Sequence, residues 1–288
     1  MLKGILRKNQ KKNNMDYKIV FSDIDGTLLD KDRGLATATI AQVKKLKNKV
    51  PFILISARMP AAMRHLQKEL EIEDLPIICY NGGLVLVDGK AISSTEIPIN
   101  IVEALTNFNK PTACHLSLYH NDEWYAPEFD EWATREKNNT KVEPQIKSNF
   151  EVVQKWNKEG KGAHKIMAMG PEKQIDAIRD FLNTNYSEQL ILYRSKDTYL
   201  EIAHKSISKL TAIELLLEKH FSHTLQQTIA FGDNYNDVEM LKNVGFGIAV
   251  GNAREEAKLV AAHVTHHHKE DGVAKMLEEL FNPKKSSL

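Results

Sequence analysis

The segment KIVFSDIDGTLLD, residues 18–30, sets the pattern for this 288-residue chain. Its first five residues form a short apolar run that predicts a buried β-strand. Asp23 and Asp25 follow this run directly, beside the turn-forming residue Gly26. In open α/β sheets, ligands bind at the carboxyl ends of the strands. The segment therefore predicts a strand that ends in an acidic site.

In the residues that follow this segment, predicted strands and helices alternate. Residues 52–55 (FILI) and 77–80 (IICY) predict buried strands, and residues 36–49 and 60–70 predict helices between the strands. Residues 84–93 contain an Asp-Gly turn and predict a hairpin. Such alternation is typical of an α/β unit with a largely parallel sheet.

The middle of the chain has a different character. Strand-like stretches at 115–119, 165–169 and 190–193 accompany a helix-like stretch at 172–182, and residues 136–141 look like an exposed loop. This mixture predicts an inserted α+β domain.

Alternation then returns, with a strand expected at residues 200–203. The predicted fold class is therefore α/β, with a Rossmann-like parallel-sheet core at residues 16–90 and 198–288 and an α+β cap at residues 91–197. Residues 1–15 are basic and predict a flexible tail, and Met15 is an alternative start of the native protein.

Composition excludes several classes of function. The 39 basic and 38 acidic residues leave a net charge of +1, so a general electrostatic footprint for nucleic acid is missing. Cys79 and Cys114 are too few for a disulfide framework, which favours a reducing cytoplasm. No apolar run approaches the ~20 residues of a membrane span. We expect a cytoplasmic monomer or weak homodimer that binds neither nucleic acid nor membrane.

Two segments place carboxylates after a buried strand, Asp23 with Asp25 and Asp233 with Asp237. Carboxylates gathered at one sheet edge repel each other unless a cation joins them, and oxygen ligands favour Mg²⁺. A turn capped by the aspartates is the structural alternative. An EF-hand loop beginning at Asp23 is excluded, because its sixth position is occupied by Leu28 instead of glycine.

Further residues suit a phosphate group. Ser56-Ala57-Arg58 directly follows the second strand and precedes a helix, where a hydroxyl and backbone N–H groups can bind phosphate oxygens. Lys209 lies at the start of a predicted helix capped by Ser208. A plain helix cap at Ser56 and a solvent-exposed Lys209 are the alternatives.

Together these features resemble the haloacid dehalogenase-like phosphatases, and most closely their Cof-type branch, which carries a large inserted cap. The resemblance runs in order over about residues 17–288. Residues 23–29 (DIDGTLL) match the first family motif, Ser56 the second, Lys209 the third and residues 232–237 (GDNYND) the fourth. Many relatives have Thr-Gly-Arg at the second motif and a glycine after the third-motif lysine. Neither departure removes a side chain that the chemistry requires.

The resemblance implies a division of roles among these residues. Asp23 would attack phosphorus and form an aspartyl-phosphate, while Asp25 would act as the acid and then the base. Mg²⁺ would be held by the Asp23 carboxylate, the Asp25 carbonyl and Asp233, with Asp237 supporting them or reaching the metal through water. The phosphoryl oxygens would be held by Ile24, Ser56, Ala57, Lys209 and Asn236.

The resemblance therefore predicts a Mg²⁺-dependent phosphatase that acts on a small phosphorylated metabolite, with sugar phosphates as the first expectation. A cofactor phosphate such as flavin mononucleotide or pyridoxal phosphate, a phosphohexomutase activity and a non-catalytic phosphometabolite sensor are the alternatives. Cap residues would choose the substrate, and the candidates by residue type are His115, Tyr119, Trp124, His164 and Arg194.

Overall fold

The computed structural model describes residues 16–282. In this part of the chain the strands are β1 (Ile19–Ser22), β2 (Phe52–Ile55), β3 (Ile77–Cys79), β4 (Leu84–Val87), β5 (Lys90–Ser94), β6 (His115–His120), β7 (Glu123–Ala126), β8 (Gln145–Ile146), β9 (Lys165–Met169), β10 (Leu190–Lys196), β11 (Tyr199–His204), β12 (Thr228–Gly232), β13 (Phe246–Ala249) and β14 (His263–Val264). The α-helices are α1 (Thr37–Leu46), α2 (Ala61–Leu70), α3 (Ile99–Thr112), α4 (Glu131–Thr140), α5 (Asn149–Glu159), α6 (Glu172–Tyr186), α7 (Lys209–Lys219), α8 (Val238–Asn243), α9 (Glu255–Val260) and α10 (Gly272–Phe281).

The first sheet has the strand order β14-β13-β12-β1-β2-β3-β4-β5. Its strands run parallel from β14 to β3, and the β4–β5 hairpin adds two antiparallel strands at one edge. Every residue of β1, β2 and β12 is buried, as expected for parallel strands covered on both faces. The predicted α/β core is therefore confirmed.

The order in which the chain adds strands to the first sheet changes side at β1. From β1 it proceeds to β2 and β3 on one side, whereas β12, β13 and β14 lie on the other side. In doubly wound sheets, the crevice at such a switch point is the usual place for a ligand. The ends of β1 and β12 meet at this crevice.

The second sheet has the strand order β10-β11-β9-β6-β7-β8 and is antiparallel except between β7 and β8. One face packs against α3, α5 and α6, with Trp156 fully buried there. The opposite face contributes Tyr119, Met167 and Tyr199 to the hydrophobic core of the first sheet. The second sheet, which includes β11, and the helices α3, α5 and α6 therefore form a cap that packs against the first sheet.

The strand predicted at residues 200–203 is present, but its assignment to the core is wrong, and the loop predicted at residues 136–141 is wrong. Residues 200–203 belong to β11, which pairs with β9 and β10 in the second sheet, so the strand lies outside the parallel core to which we assigned it. Residues 136–141 are largely the end of α4, whose first turn is capped by the Asp130 carboxylate. A short apolar segment such as 200–203 does not show which sheet will bury it, and the polar residues 136–141 carry no hydrophobic periodicity that would indicate a helix. The predicted tail at residues 1–15 lies outside the described residues.

Two chain crossings join the sheets, and they meet at one place. The Thr95 N–H donates to the Gly83 carbonyl where the chain leaves the first sheet. Gly82, with φ of 103°, lies so close to Ser208, where the chain returns, that any side chain at position 82 would collide with its carbonyl oxygen. The conformation and the contact both require glycine at position 82. No helix of residues 16–282 is long and apolar enough to span a membrane.

Candidate active site

Polar residues at the ends of four parallel strands line one cavity of about 290 Å³. Asp23 follows β1, Ser56 follows β2, Asn81 lies just after β3 and Asp233 follows β12. Four segments that are far apart in the sequence therefore converge, as the carboxyl-end rule predicts. The second sheet contributes the opposite wall through Leu192, Tyr193, Arg194 and Glu201.

Lys209 is buried between two carboxylates at the centre of the site. Its Nζ lies 2.5 Å from Asp23 Oδ1 and 2.6 Å from Asp237 Oδ1. The side chain is fully buried, so solvent exposure, the alternative considered for it, does not occur. Ser208 caps α7 by accepting the Thr211 N–H, which fixes the helix start that carries the lysine.

Asp237 is fixed in place by hydrogen bonds. Its Oδ2 accepts the N–H groups of Asp233 and Asn234 at 2.8 and 3.0 Å, and its Oδ1 faces Lys209. The side chain is completely buried. Asp237 thereby orders the loop after β12 and the ammonium of Lys209 together.

Asp233 approaches the first motif closely. The Thr27 hydroxyl donates to its Oδ1 at 3.1 Å. Gly26 has φ of 83°, and a side chain there would collide with the Asp233 carboxylate. Glycine at position 26 is thus needed both for the left-handed backbone and for this approach.

The carboxylates of Asp23, Asp233 and Asp237 offer ligand atoms that lie within 4.8 Å of one another. Burial, with repulsion from Asp237 and Asp233, raises the pKa of Asp23 well above its ordinary value, although Lys209 opposes this. Burial and Asp237 likewise raise the pKa of Asp233 to about 6. Three carboxylates face one ammonium, so the cluster has an excess of negative charge that a divalent cation would offset. The residues therefore fit Mg²⁺.

Asp25 is held by arginine. Its carboxylate accepts Nε and Nη2 of Arg58 at 2.7 and 2.8 Å and Nη2 of Arg33 at 2.7 Å. Burial alone would raise the pKa of Asp25, but Arg58 and Arg33 outweigh it and lower the pKa below the ordinary value. The Asp25 carbonyl oxygen accepts no hydrogen bond within residues 16–282, so it is available as a ligand.

The residues predicted to bind phosphate lie at the same strand ends. Ser56, Ala57 and Asn236 line the cavity. The backbone N–H groups of Ile24 and Ala57 find no acceptor within residues 16–282, although Ile24 is fully buried. Buried N–H groups are normally paired, so the unpaired N–H of Ile24, with that of the partly exposed Ala57, suits the binding of an anion.

Sequence reasoning missed residues that line the cavity, namely Asn81, Leu192, Tyr193 and Glu201, and the neighbouring Lys165. Asn81 could have been found, since it comes just after a parallel strand as the other site residues do. Lys165, which donates to the Ala57 carbonyl at 2.9 Å, and Glu201 come from the second sheet, where no local pattern marks them.

Of the five cap candidates, Arg194 alone lines the cavity. His115 is bonded to Asp130 and Ser117, and Trp124 donates to the same Ser117 hydroxyl. The other two, Tyr119 and His164, are buried in the cap and at its border with the core.

Carboxylates that face unpaired backbone N–H groups in a covered cavity suit the attack on an anion, as an enzyme that cleaves a phosphate ester requires. Similarity to known proteins points to the same class of enzyme. Residues 20–277 match the model of the haloacid dehalogenase-like hydrolases. A protein of Haemophilus influenzae is 35% identical over 271 residues, which cover 93% of this chain and 99% of that protein.

The Bacillus subtilis protein 5-amino-6-(5-phospho-D-ribitylamino)uracil phosphatase YitU is 27% identical over 274 residues, which cover 92% of this chain and 97% of YitU. A haloacid dehalogenase-like hydrolase from Bacteroides thetaiotaomicron matches with a TM-score of 0.83 and 24% identity, covering 92% of this chain and 100% of that chain.

This chain belongs to the haloacid dehalogenase-like hydrolase family. Its predicted enzyme class, a phosphatase that hydrolyses phosphoric monoesters, is confirmed, as is the resemblance to the Cof-type branch.

Proposed function

We propose that this chain is a Mg²⁺-dependent phosphatase that hydrolyses small phosphate monoesters through an aspartyl-phosphate on Asp23. Sugar phosphates are the first substrate class that we propose. The observation that carries the proposal is the 2.5 Å contact between Asp23, which lines the cavity, and the buried Lys209. Beside Asp23 and Ser56, the N–H groups of Ile24 and Ala57 find no acceptor within residues 16–282. A phosphoryl group in this cavity would meet a nucleophile and donors for its oxygens together. Phosphoryl transfer depends mainly on such positioning and charge neutralisation.

Mg²⁺ would be held by the carboxylates of Asp23 and Asp233 and by the Asp25 carbonyl, and Asp237 would keep them in place. When bound, the metal would offset charge between nucleophile and phosphate. The excess of carboxylates over ammonium groups in the cluster supports this assignment.

Asp23 would attack phosphorus as the bond to the leaving oxygen breaks, and water would later hydrolyse the aspartyl-phosphate. Asp25 would give a proton to the leaving oxygen and then take one from the attacking water. Because Arg58 favours the ionised form of Asp25, this carboxylate must leave Arg58 or bind a proton before it serves as the acid.

Small, polar leaving groups fit the cavity best. Its volume of about 290 Å³ lies at the lower end of ligand pockets, and Glu201 and Arg194 add polar atoms to its cap wall. The related YitU is named for a substrate that carries a phosphorylated ribityl chain. Flavin mononucleotide and pyridoxal phosphate belong in the same substrate panel as the competing cofactor phosphates.

The test is turnover of p-nitrophenyl phosphate with and without Mg²⁺, in the wild type and in Asp23→Asn. We expect Mg²⁺-dependent release of nitrophenol and a loss of at least about 10³-fold in the variant, because an amide is a poor nucleophile. Asp32→Asn, an exposed change of the same kind nearby, is the matched control and should retain activity.

Full activity in Asp23→Asn would refute Asp23 as the nucleophile. On hexose phosphates, isomerised sugar without net phosphate release would indicate a mutase instead. Tight binding of phosphometabolites with no turnover of any ester would indicate a sensor.

A further inference from the structure

Glu201 is a partly buried carboxylate at the site that the roles proposed so far do not use. It lies on β11, opposite Met167 of β9 and Tyr193 of β10, on the sheet face turned toward the core. It lines the same cavity as Asp23, Asp25 and Ser56. Glu201 therefore brings a cap carboxylate to the space above the phosphate site.

The side-chain amides of Asn236 and Asn81 connect Glu201 to the loop that follows β12. Asn236 Nδ2 donates to Asn81 Oδ1 at 2.9 Å, and Asn81 Nδ2 donates to Glu201 Oε1 at 3.0 Å. Asn81 has φ of 56°, a left-handed conformation that asparagine tolerates better than most residues. Asn81 thus links Asn236 to Glu201, and Glu201 lies in the cap wall of the cavity, on the side where the leaving group of a bound ester would lie.

The Glu201 carboxylate is incompletely bonded. Apart from the Asn81 contact, it makes no hydrogen bond or ion pair within residues 16–282. The neighbouring ammonium of Lys165 is committed elsewhere, to the Ala57 carbonyl and to the ring of Tyr119. Burial raises the pKa of Glu201 in spite of Lys165, so a hydrogen-bond donor from a ligand would stabilise the ionised form.

We propose that Glu201, oriented by Asn81, binds a hydrogen-bond donor on the leaving group and so selects esters whose alcohol carries a hydroxyl or amino group. This inference rests on the proposed phosphatase function, since it names the substrate chemistry of that site. A carboxylate placed to accept a donor discriminates against analogues that lack one, because its second oxygen, which Asn81 does not reach, then has lost water without gaining a hydrogen bond.

The test uses matched esters that differ in donors. The three-carbon set is propyl phosphate, glycerol 3-phosphate and 3-aminopropyl phosphate, and the six-carbon set is hexyl phosphate, glucitol 6-phosphate and 6-aminohexyl phosphate. The selectivity is the ratio of kcat/KM for a donor-bearing ester to that for the plain alkyl ester. In Glu201→Gln and Glu201→Ala we expect this ratio to fall by about 10- to 100-fold in at least one set.

Glu188→Gln is the matched control, since it removes a carboxylate of the cap that is 89% exposed, and it should leave the ratio unchanged. The hydroxyl and amino esters show which donor Glu201 prefers. An unchanged ratio in both sets, or equal losses on alkyl and donor-bearing esters, would overturn the role of Glu201. A wild type that hydrolyses neither these esters nor p-nitrophenyl phosphate with Mg²⁺ would instead overturn the phosphatase proposal itself.

Discussion

Two clusters of buried and partly buried side chains could each hold a metal by proximity, yet they differ in how their polar atoms are hydrogen-bonded. The catalytic cluster consists of Asp23, Asp233 and Asp237, and the junction cluster, where the cap joins the core, consists of Glu96, His120 and His164. The catalytic cluster borders a cavity that also contains the unpaired Ala57 N–H, whereas none of the junction cluster lines that cavity.

The junction cluster is satisfied without a ligand. His164 Nδ1 accepts the Asn121 N–H at 3.1 Å, so its Nε2 carries the proton and donates to Ser94 Oγ at 3.0 Å. The Ser94 hydroxyl donates in turn to Glu96 Oε1. His120 Nδ1 lies 3.1 Å from the Gly162 carbonyl, to which it donates. Closeness of ligating atoms is therefore weak evidence for a metal until their existing partners are counted.

The largest expected effect comes from removing the one cation of the catalytic cluster. Lys209→Met leaves the buried carboxylates of Asp23 and Asp237 without their cation, so we expect kcat/KM to fall by about 10²–10³-fold and the free energy of unfolding to fall by about 3–5 kcal/mol. Kinetics with p-nitrophenyl phosphate and urea unfolding measure the two quantities. His164→Asn, in the junction cluster, should leave kcat/KM nearly unchanged, and an equal loss of activity in both variants would erase the distinction.

Metal affinity gives the next test of the comparison. Because Asp233 is an expected ligand and the junction residues are already bonded, Asp233→Asn should weaken Mg²⁺ binding by about 100-fold. His164→Asn should leave the affinity as it is in the wild type. Isothermal titration of each protein with Mg²⁺ checks both statements, and a weaker affinity in His164→Asn would show that the junction cluster takes part.

The smallest effect is a pH dependence of stability. Burial, with the nearby His120, lowers the pKa of His164 to about 4 from its ordinary 6.5. The unfolded chain therefore binds a proton near pH 6.5 that the folded chain refuses until about pH 4. The free energy of unfolding should therefore fall by about 2–3 kcal/mol as the pH falls from 6.5 toward 4.

Urea unfolding of the wild type and His164→Asn at pH 7 and pH 4.5 measures this effect. The stability difference between them should shrink by about 2 kcal/mol at the lower pH. The exposed His220→Asn is the control and should show no such change. A difference that is the same at both pH values would mean that His164 is not held neutral.

Part of the catalytic site could be predicted from the sequence, and part could not. Asp23, Ser56 and Asp233 were predictable because each follows a buried strand, and parallel strands bring their ends to one edge. The pairing of Asp25 with Arg58 and the place of Glu201 were not, since they depend on side-chain direction and on which strands pair. Long-range pairing likewise moved residues 200–203 into the second sheet.

The contact at Gly82 and Gly83 has a consequence for the evolution of substrate range. The cap enters through Thr95 and leaves beside Ser208, so its two ends are anchored at neighbouring points of the core. An insertion with adjacent ends can be exchanged as a module without rethreading the host sheet. A different cap inserted between these two points should leave the nucleophile, the lysine and the phosphate donors of the core unchanged. The new cap would then determine which alcohol the enzyme accepts as the leaving group.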